Sequence, residues 1–371
     1  LPEGHALAVG VVFFPSGEST NIPPWQQEID STLRKHGLAP LAWRKVPVSE
    51  RVLGRKAFDA RREIWQVLIG EGMVAPEDLD TTLYRVKGHL ERWFRGIYIP
   101  SFSSRTVSYK ALVDGDQLRR FYADLTDPDM KSDVVVFHRR YSTNTFSNWY
   151  LAQTFRLISH NGEINTIKAN RNAVRNLEAE LGMQDVLMQQ GSDSADLDRV
   201  VELFRMHGVP LMEALARVMP MAYRDLPRLT PEVVRYYQGV ERALGTLGAW
   251  EGPAAIVATD GDVLVGQLDR MGLRPLRWLV TRQRRIFIGS ELGALDIAPE
   301  DIAETGQLDP GQAVAVDLRA RKILRPDEVL ARVVEGSRIN FGELAEARLT
   351  TLPAPKLPAA GQPPIDPAAP A

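Results

Sequence analysis

The sequence predicts an α+β fold built on antiparallel sheets, and three observations carry that expectation. Strand-like runs rich in β-branched and aromatic residues occupy both ends of the chain. Between them, from about Lys168 to Gly245, the apolar residues recur at helical spacing. Asp260–Gly261 stands between two apolar runs and is the strongest short-range hairpin signal in the chain. Strands, then helices, then strands again favour antiparallel sheets over alternating βαβ units.

The run HALAVGVVFF (5–14) stops at Pro15–Ser16–Gly17 and reads as a buried strand followed by a turn. PPWQQEIDSTLRKHG (23–37) reads as a helix, with Pro early and Gly just past its end. LAPLAWRKVPV (38–48) returns as a strand, and WQVLIG (65–70) and GIYIPSFSSRTVSYKALV (96–113) as extended segments. Helical patterns at 76–94 and 115–127 lie around them. DVVVFHRRYST (133–143) reads as a strand running into polar residues, and YLAQTFRLISHNG (150–162) as another. Four helical patterns follow, at 168–182, 194–208, 210–219 and 231–245. After them come PAAIVATDGDVLVGQLD (253–269), LRPLRWLVT (273–281), RRIFIGSE (284–291) and QAVAVDL (312–318), all strand-like. The end, LPAPKLPAAGQPPIDPAAPA (352–371), has too few large apolar residues to pack. The expected division is a folded domain over 1–335 and a Pro/Ala-rich linker or tail over 336–371.

Composition narrows the function. The 371 residues are 44% hydrophobic and 25% charged, ordinary for a globular chain, and carry a net charge of −2. That balance gives no electrostatic case for nucleic acid or an anionic membrane as partner. No apolar run is long enough to span a bilayer. The start lacks the basic region of a signal peptide, so cytoplasm is the default compartment. It also lacks Met, so the expectation is a segment cut from a longer protein. There is no cysteine, which excludes disulfides, thiolate metal sites and iron–sulfur ligation by these residues.

Three spots gather polar residues where strands end. In FHRRYST (137–143), Arg140 follows an apolar run and precedes the hydroxyls of Ser142 and Thr143. A guanidinium there can clamp a carboxylate through two parallel hydrogen bonds, or simply pair with a surface acid. In LISHNGEIN (157–165), Asn161–Gly162 is either a plain turn or a pair of donors, one side-chain amide and one backbone N–H, aimed at a developing oxyanion. In GSDSADLD (191–198), Asp193 precedes a helical pattern and can cap it or receive an amino group. The six histidines show no metal-ligand spacing, and His138 and His160 read as structural. RQRR (282–285) is too short for a nucleic-acid site and reads as a solvated loop.

Taken in order and spacing, HRRYSTNT, WYLAQTFRLISHNGEINTIKANRN and GSDSADLDRVVEL resemble the class II glutamine amidotransferase domain of glutamate synthase large subunits. The stretch from GPAAIVATDGDVLVGQLDRMGLRPLRWLVT to LDPGQAVAVDL is also similar to that family, and the resemblance covers about residues 5–330. It implies an N-terminal-nucleophile hydrolase type four-layer αββα sandwich with antiparallel sheets, here lacking its first elements. It also implies roles: Asn161 and the Gly162 N–H as oxyanion hole, Arg140 for the α-carboxylate of L-glutamine, Asp193 for its α-amino group, and Ser142 and Thr143 as further substrate contacts.

The family's nucleophile is an N-terminal cysteine whose own α-amino group serves as base. This chain has none, so alone it is expected to be inactive. Thr154 stands where the family usually has Pro, and Arg139 where a small polar residue is common. The resemblance implies that the whole enzyme passes ammonia to an FMN-bearing domain of the same polypeptide, which joins it to 2-oxoglutarate. An iron–sulfur cluster and a donor, NADPH through a small subunit or ferredoxin, serve that half. The rival expectation is a non-catalytic module that binds glutamine or docks a partner.

Overall fold

The computed structural model describes residues 7–17, 21–94, 96–140, 148–181, 186–187, 191–224, 229–243, 245 and 247–337. The Pro/Ala segment and most of the expected tail lie outside them, as do Ser142 and Thr143.

The first half builds one sheet. Its elements are β1 (Leu7–Pro15), α1 (Ile22–Lys35), β2 (Ala39–Lys45), α2 (Arg55–Asp59), β3 (Arg62–Gly70), α3 (Leu79–Trp93), β4 (Tyr98–Ser103) and α4 (Gly115–Phe121). The strands pair antiparallel in the order β2-β3-β1-β4. β1 is central and apolar throughout because both its faces are covered. Ala8, Val12 and Phe14 meet Ile29 and Leu33 of α1 and Leu79, Leu83, Val86 and Leu90 of α3. Val11 and Phe13, one residue out of phase, meet Phe121, Tyr122 and Trp149 on the other side. Gly10 belongs where it is because the Phe102 ring lies where a Cβ would go.

The second half is a stack. It runs β5 (Ile158–Gly162), α5 (Ile167–Leu181), α6 (Asp193–Met206), α7 (Leu211–Val218), α8 (Pro231–Ala243), β6 (Ala254–Thr259) and β7 (Val263–Leu268). Then follow β8 (Arg277–Thr281), β9 (Ile286–Gly289), β10 (Ile302–Gln307), β11 (Ala313–Asp317), β12 (Lys322–Leu324) and α9 (Pro326–Gly336). Five strands form an antiparallel sheet in the order β12-β11-β7-β6-β5, which leaves β5 at an edge. The helices cover one face through Val200, Leu215, Tyr236 and Ile256, among others. The opposite face, with Ala255, Leu268 and Val314, packs on Leu276 and Trp278 of the three-stranded β10-β8-β9 segment. Gly266 admits the second sheet closely, since a Cβ there would press on Ile288. The predicted α+β sandwich of antiparallel sheets is what forms, and the hairpin at Asp260–Gly261 joins β6 to β7 as read.

One strand does not form. Over 133–140 the chain joins no ladder. Its polar groups turn inward on themselves: Val134 N–H donates to Ser132 Oγ, and that hydroxyl donates to the Val134 carbonyl. Val135 and Phe137 are 73% and 74% exposed. A strand needs a neighbour for its N–H and C=O groups, and no described strand runs alongside. Likewise only the last five residues of the 150–162 run are strand.

The two halves meet through buried charge. Lys87 of α3 donates to Glu202 of α6 at 2.8 Å, and Arg156 Nε lies 3.0 Å from the other Glu202 oxygen. Arg199 reaches Glu91 at 2.6 Å. Burial alone would raise the Glu202 carboxyl, but Lys87 and Arg156 hold it below its usual range.

Candidate active site

β5 carries the Asn–Gly pair, and its ladder decides which groups are free. Leu157 accepts from Thr259 N–H at 2.9 Å, and Glu163 N–H donates to Pro253 at 2.8 Å. Antiparallel bonding alternates, so the 157 carbonyl and residues 159, 161 and 163 bond toward β6, and 158, 160 and 162 point their backbone groups off the sheet edge. Asn161–Gly162 is therefore not a tight two-residue hairpin but the end of an edge strand. The Gly162 N–H faces outward, with no acceptor among the described residues. Glycine is required there by close approach, because a Cβ would collide with the Pro253 carbonyl oxygen. Asn161 pairs with Ala255 across the ladder and shares its face; its side chain is half-buried and makes no hydrogen bond to a described residue.

The rest of the free edge is satisfied by side chains. Gln153, whose peptide bond to Thr154 is cis, acts as a substitute strand: its Oε1 accepts from His160 N–H at 2.7 Å, and its Nε2 donates to the His160 carbonyl at 2.8 Å. Asp198 Oδ1 accepts the N–H groups of both Leu157 and Ile158, at 2.8 and 2.9 Å. Burial, with the Glu202 charge nearby, raises the Asp198 carboxyl.

Asp193 comes to the same strand from α6. Ser192, not Asp193, caps the helix, its Oγ accepting from Ala195 N–H at 3.1 Å. Asp193 is thereby left to accept Ile164 N–H at 2.8 Å, two residues past Gly162. His160 lies between, its Nδ1 2.8 Å from Ser194 Oγ. Burial pushes the imidazole down to about 4; Asp193 opposes the shift, and His138 and Arg274 add to it. His160 is therefore neutral at physiological pH.

The fold thus brings Asn161, Gly162 and Asp193 together. Arg140 is exposed, its backbone N and O lying 3.1 and 2.7 Å from His138 Nδ1. Its side chain makes no hydrogen bond or ion pair with Asn161, Gly162 or Asp193 among the described contacts. Gln153, Ser194 and Asp198 were not singled out from sequence. Ser194 and Asp198 stand four apart on one helix face, the only hint available. Among the described residues no group of three or more His, Asp or Glu side chains is arranged to hold a metal.

The sequence is similar to those of known proteins. The family model for class-II glutamine amidotransferases matches residues 1–341. The ferredoxin-dependent glutamate synthase 2 of Synechocystis sp. is 36% identical over 95% of this chain and 23% of its own length. The glutamate synthase [NADPH] large chain of Azospirillum brasilense is 35% identical, over 88% and 22%. The ferredoxin-dependent glutamate synthase 1 of Arabidopsis thaliana is 34% identical, over 88% and 21%. The chain thus spans about a fifth of the length of these relatives. An edge strand ending in Asn161–Gly162, a carboxylate at Asp193 and the family match over residues 1–341 give one conclusion: the chain belongs to the class-II glutamine amidotransferases.

Proposed function

We propose that this chain is the glutamine-binding domain of a glutamate synthase, serving release of ammonia for transfer to 2-oxoglutarate. One observation carries the reading: Gly162 turns an unpaired N–H off the edge of β5 beside the free Asn161 amide, with Asp193 anchored two residues further on. In this reading the carboxamide oxygen of L-glutamine lies against Asn161 and Gly162, where removal of one such donor costs roughly 3 kcal/mol of barrier. Asp193 takes the α-amino group, and Arg140, with Ser142 and Thr143, the α-carboxylate. Neutral His160 keeps positive charge away from the ammonium beside Asp193.

The sequence holds no cysteine, so no residue here supplies the family's nucleophile or ligates an iron–sulfur cluster by thiolate. FMN, the cluster and the donor, a small NADPH-dependent subunit or ferredoxin, are assigned to the rest of such an enzyme. The second reading, a module that binds glutamine without turnover, rests on the absent cysteine alone. An in-frame cysteine in the coding DNA upstream of Leu1 decides for the first, and a native start without one for the second.

Calorimetric titration with L-glutamine tests what both share. One binding site is expected, abolished by Asp193→Ala and weakened by Asn161→Ala. A folded chain that takes up no L-glutamine would end the proposal.

A further inference from the structure

Asp193 is held by more than the strand it faces. Its Oδ1 accepts Ser194 N–H at 2.7 Å, and the Ser194 hydroxyl lies 3.3 Å from the same oxygen. That hydroxyl also lies 2.8 Å from His160 Nδ1. His160 and Ser194 are both 1% exposed, so bulk solvent reaches neither. The hydroxyl has one proton to give. A carboxylate is the stronger acceptor, so the proton goes to Asp193, and the neutral ring must then donate through Nδ1–H. The other ring nitrogen, Nε2, has no partner of hydrogen-bond geometry among the described residues, although the nearby Pro253 carbonyl favours a proton on the ring.

We propose that Ser194 is a positioning residue that sets the Asp193 carboxylate against the Asn161–Gly162 donors by joining it to His160 of the same strand. The proposal rests on the glutamine reading of Asp193. In the order His160 Nδ1–H, Ser194 O–H, Asp193 Oδ1, the Ser194 O–H and N–H together occupy both lone pairs of Oδ1. With Ile164 N–H on Oδ2, this fixes the plane of the carboxylate and leaves one lone pair of Oδ2, facing one direction. Because the relay begins on β5, the amino-group acceptor and the oxyanion donors keep one separation.

Two measurements on the 371-residue chain test this. Long-range 15N–1H correlation of the histidine rings at neutral pH reads the His160 tautomer without any ligand. Nδ1–H is expected in the unmodified chain, changing to Nε2–H in Ser194→Ala. Nε2–H in the unmodified chain would overturn the proposal, since Ser194 would then give its proton to the ring. Titration with L-glutamine and with its des-amino analogue, 4-carbamoylbutanoate, provides the second. Ser194→Ala is expected to weaken L-glutamine about tenfold, the worth of one charge-assisted hydrogen bond, and the analogue hardly at all. Ser194→Thr, which keeps the hydroxyl, restores the difference. Equal loss for both ligands removes the role of Ser194 alone. Absence of L-glutamine binding in the unmodified chain removes the glutamine reading and that role with it.

Discussion

Lys87 Nζ donates to Glu202 Oε2 at 2.8 Å, joining α3 to α6 with both side chains at most 5% exposed. Glu202 also answers Arg156, so one carboxylate serves two buried cations from different parts of the chain. Breaking such a pair from one side leaves an uncompensated buried charge, which costs about 3–5 kcal/mol. Lys87→Met leaves Arg156 beside Glu202 and should fall at the low end. Glu202→Gln strands both cations and should cost more. Urea denaturation of the two variants checks the order, and a smaller loss in Glu202→Gln would contradict it.

Asp198 holds the start of β5 by accepting two backbone N–H groups on one oxygen. Asp198→Ala leaves both donors buried and unpaired, a loss of roughly 3 kcal/mol. Asp198→Asn keeps a carbonyl oxygen in place and should lose less than half as much. Amide hydrogen exchange at Leu157 and Ile158 reads the effect directly, and should be fast in the alanine variant only.

Acid should loosen the site through His160. Its folded value, about 4, lies below the ordinary 6.5, so the unfolded chain binds the proton more readily. The stability of the neutral ring is fully present above pH 6.5 and is lost as pH falls towards 4. The span is worth roughly 3 kcal/mol, at about 1.4 kcal/mol per pH unit. Denaturation midpoints for the chain and for His160→Gln, compared between pH 7 and pH 4, should converge or cross as pH falls. Parallel curves would show that His160 does not titrate this way.

Lys110 gives the opposite end of the scale. Its ammonium is fully buried, with Nζ 3.0 Å from the Tyr98 hydroxyl and 2.9 Å from the Tyr150 carbonyl, and burial pushes it down to about 7. The folded state therefore sheds this proton before the unfolded chain does, and stability rises from pH 7 towards pH 10. Lys110→Met removes that rise, which pH-dependent denaturation would show as a flatter profile.

Gly162→Ala places a methyl against the Pro253 carbonyl and forces β5 away from β6. A loss of about 2 kcal/mol or more in stability is expected, with L-glutamine binding falling further than in Asn161→Ala. Retained binding at unchanged stability would mean that Gly162 has room that its surroundings do not suggest.

Elements whose apolar pattern matches their period are legible in the amino-acid order alone. The buried run of β1, the four helices from α5 to α8 and the hairpin of β6 and β7 are all written locally, because covered faces require apolar residues at fixed spacing. That order also made Asn161, Gly162 and Asp193 visible, since these residue types carry the chemistry of donors and anions. Two strands were not legible: β10, which alternates half-buried and exposed residues at a sheet edge, and β12, which is only three residues long. α9 went unread despite Pro326 early and two acids in its first turn. Other outcomes only the tertiary structure decided. The 133–140 run has a strand's composition, yet no described neighbour bonds it. Asn161–Gly162 has a turn's composition, yet pairs with Ala254 and Ala255 to end an edge strand. Asp193 accepts the Ile164 N–H while Ser192 caps the helix in its place. For β5 the deciding quantity is which backbone N–H groups remain unpaired, and that depends on residues about 90 to 100 positions away, at Pro253 and Thr259, which no local pattern records.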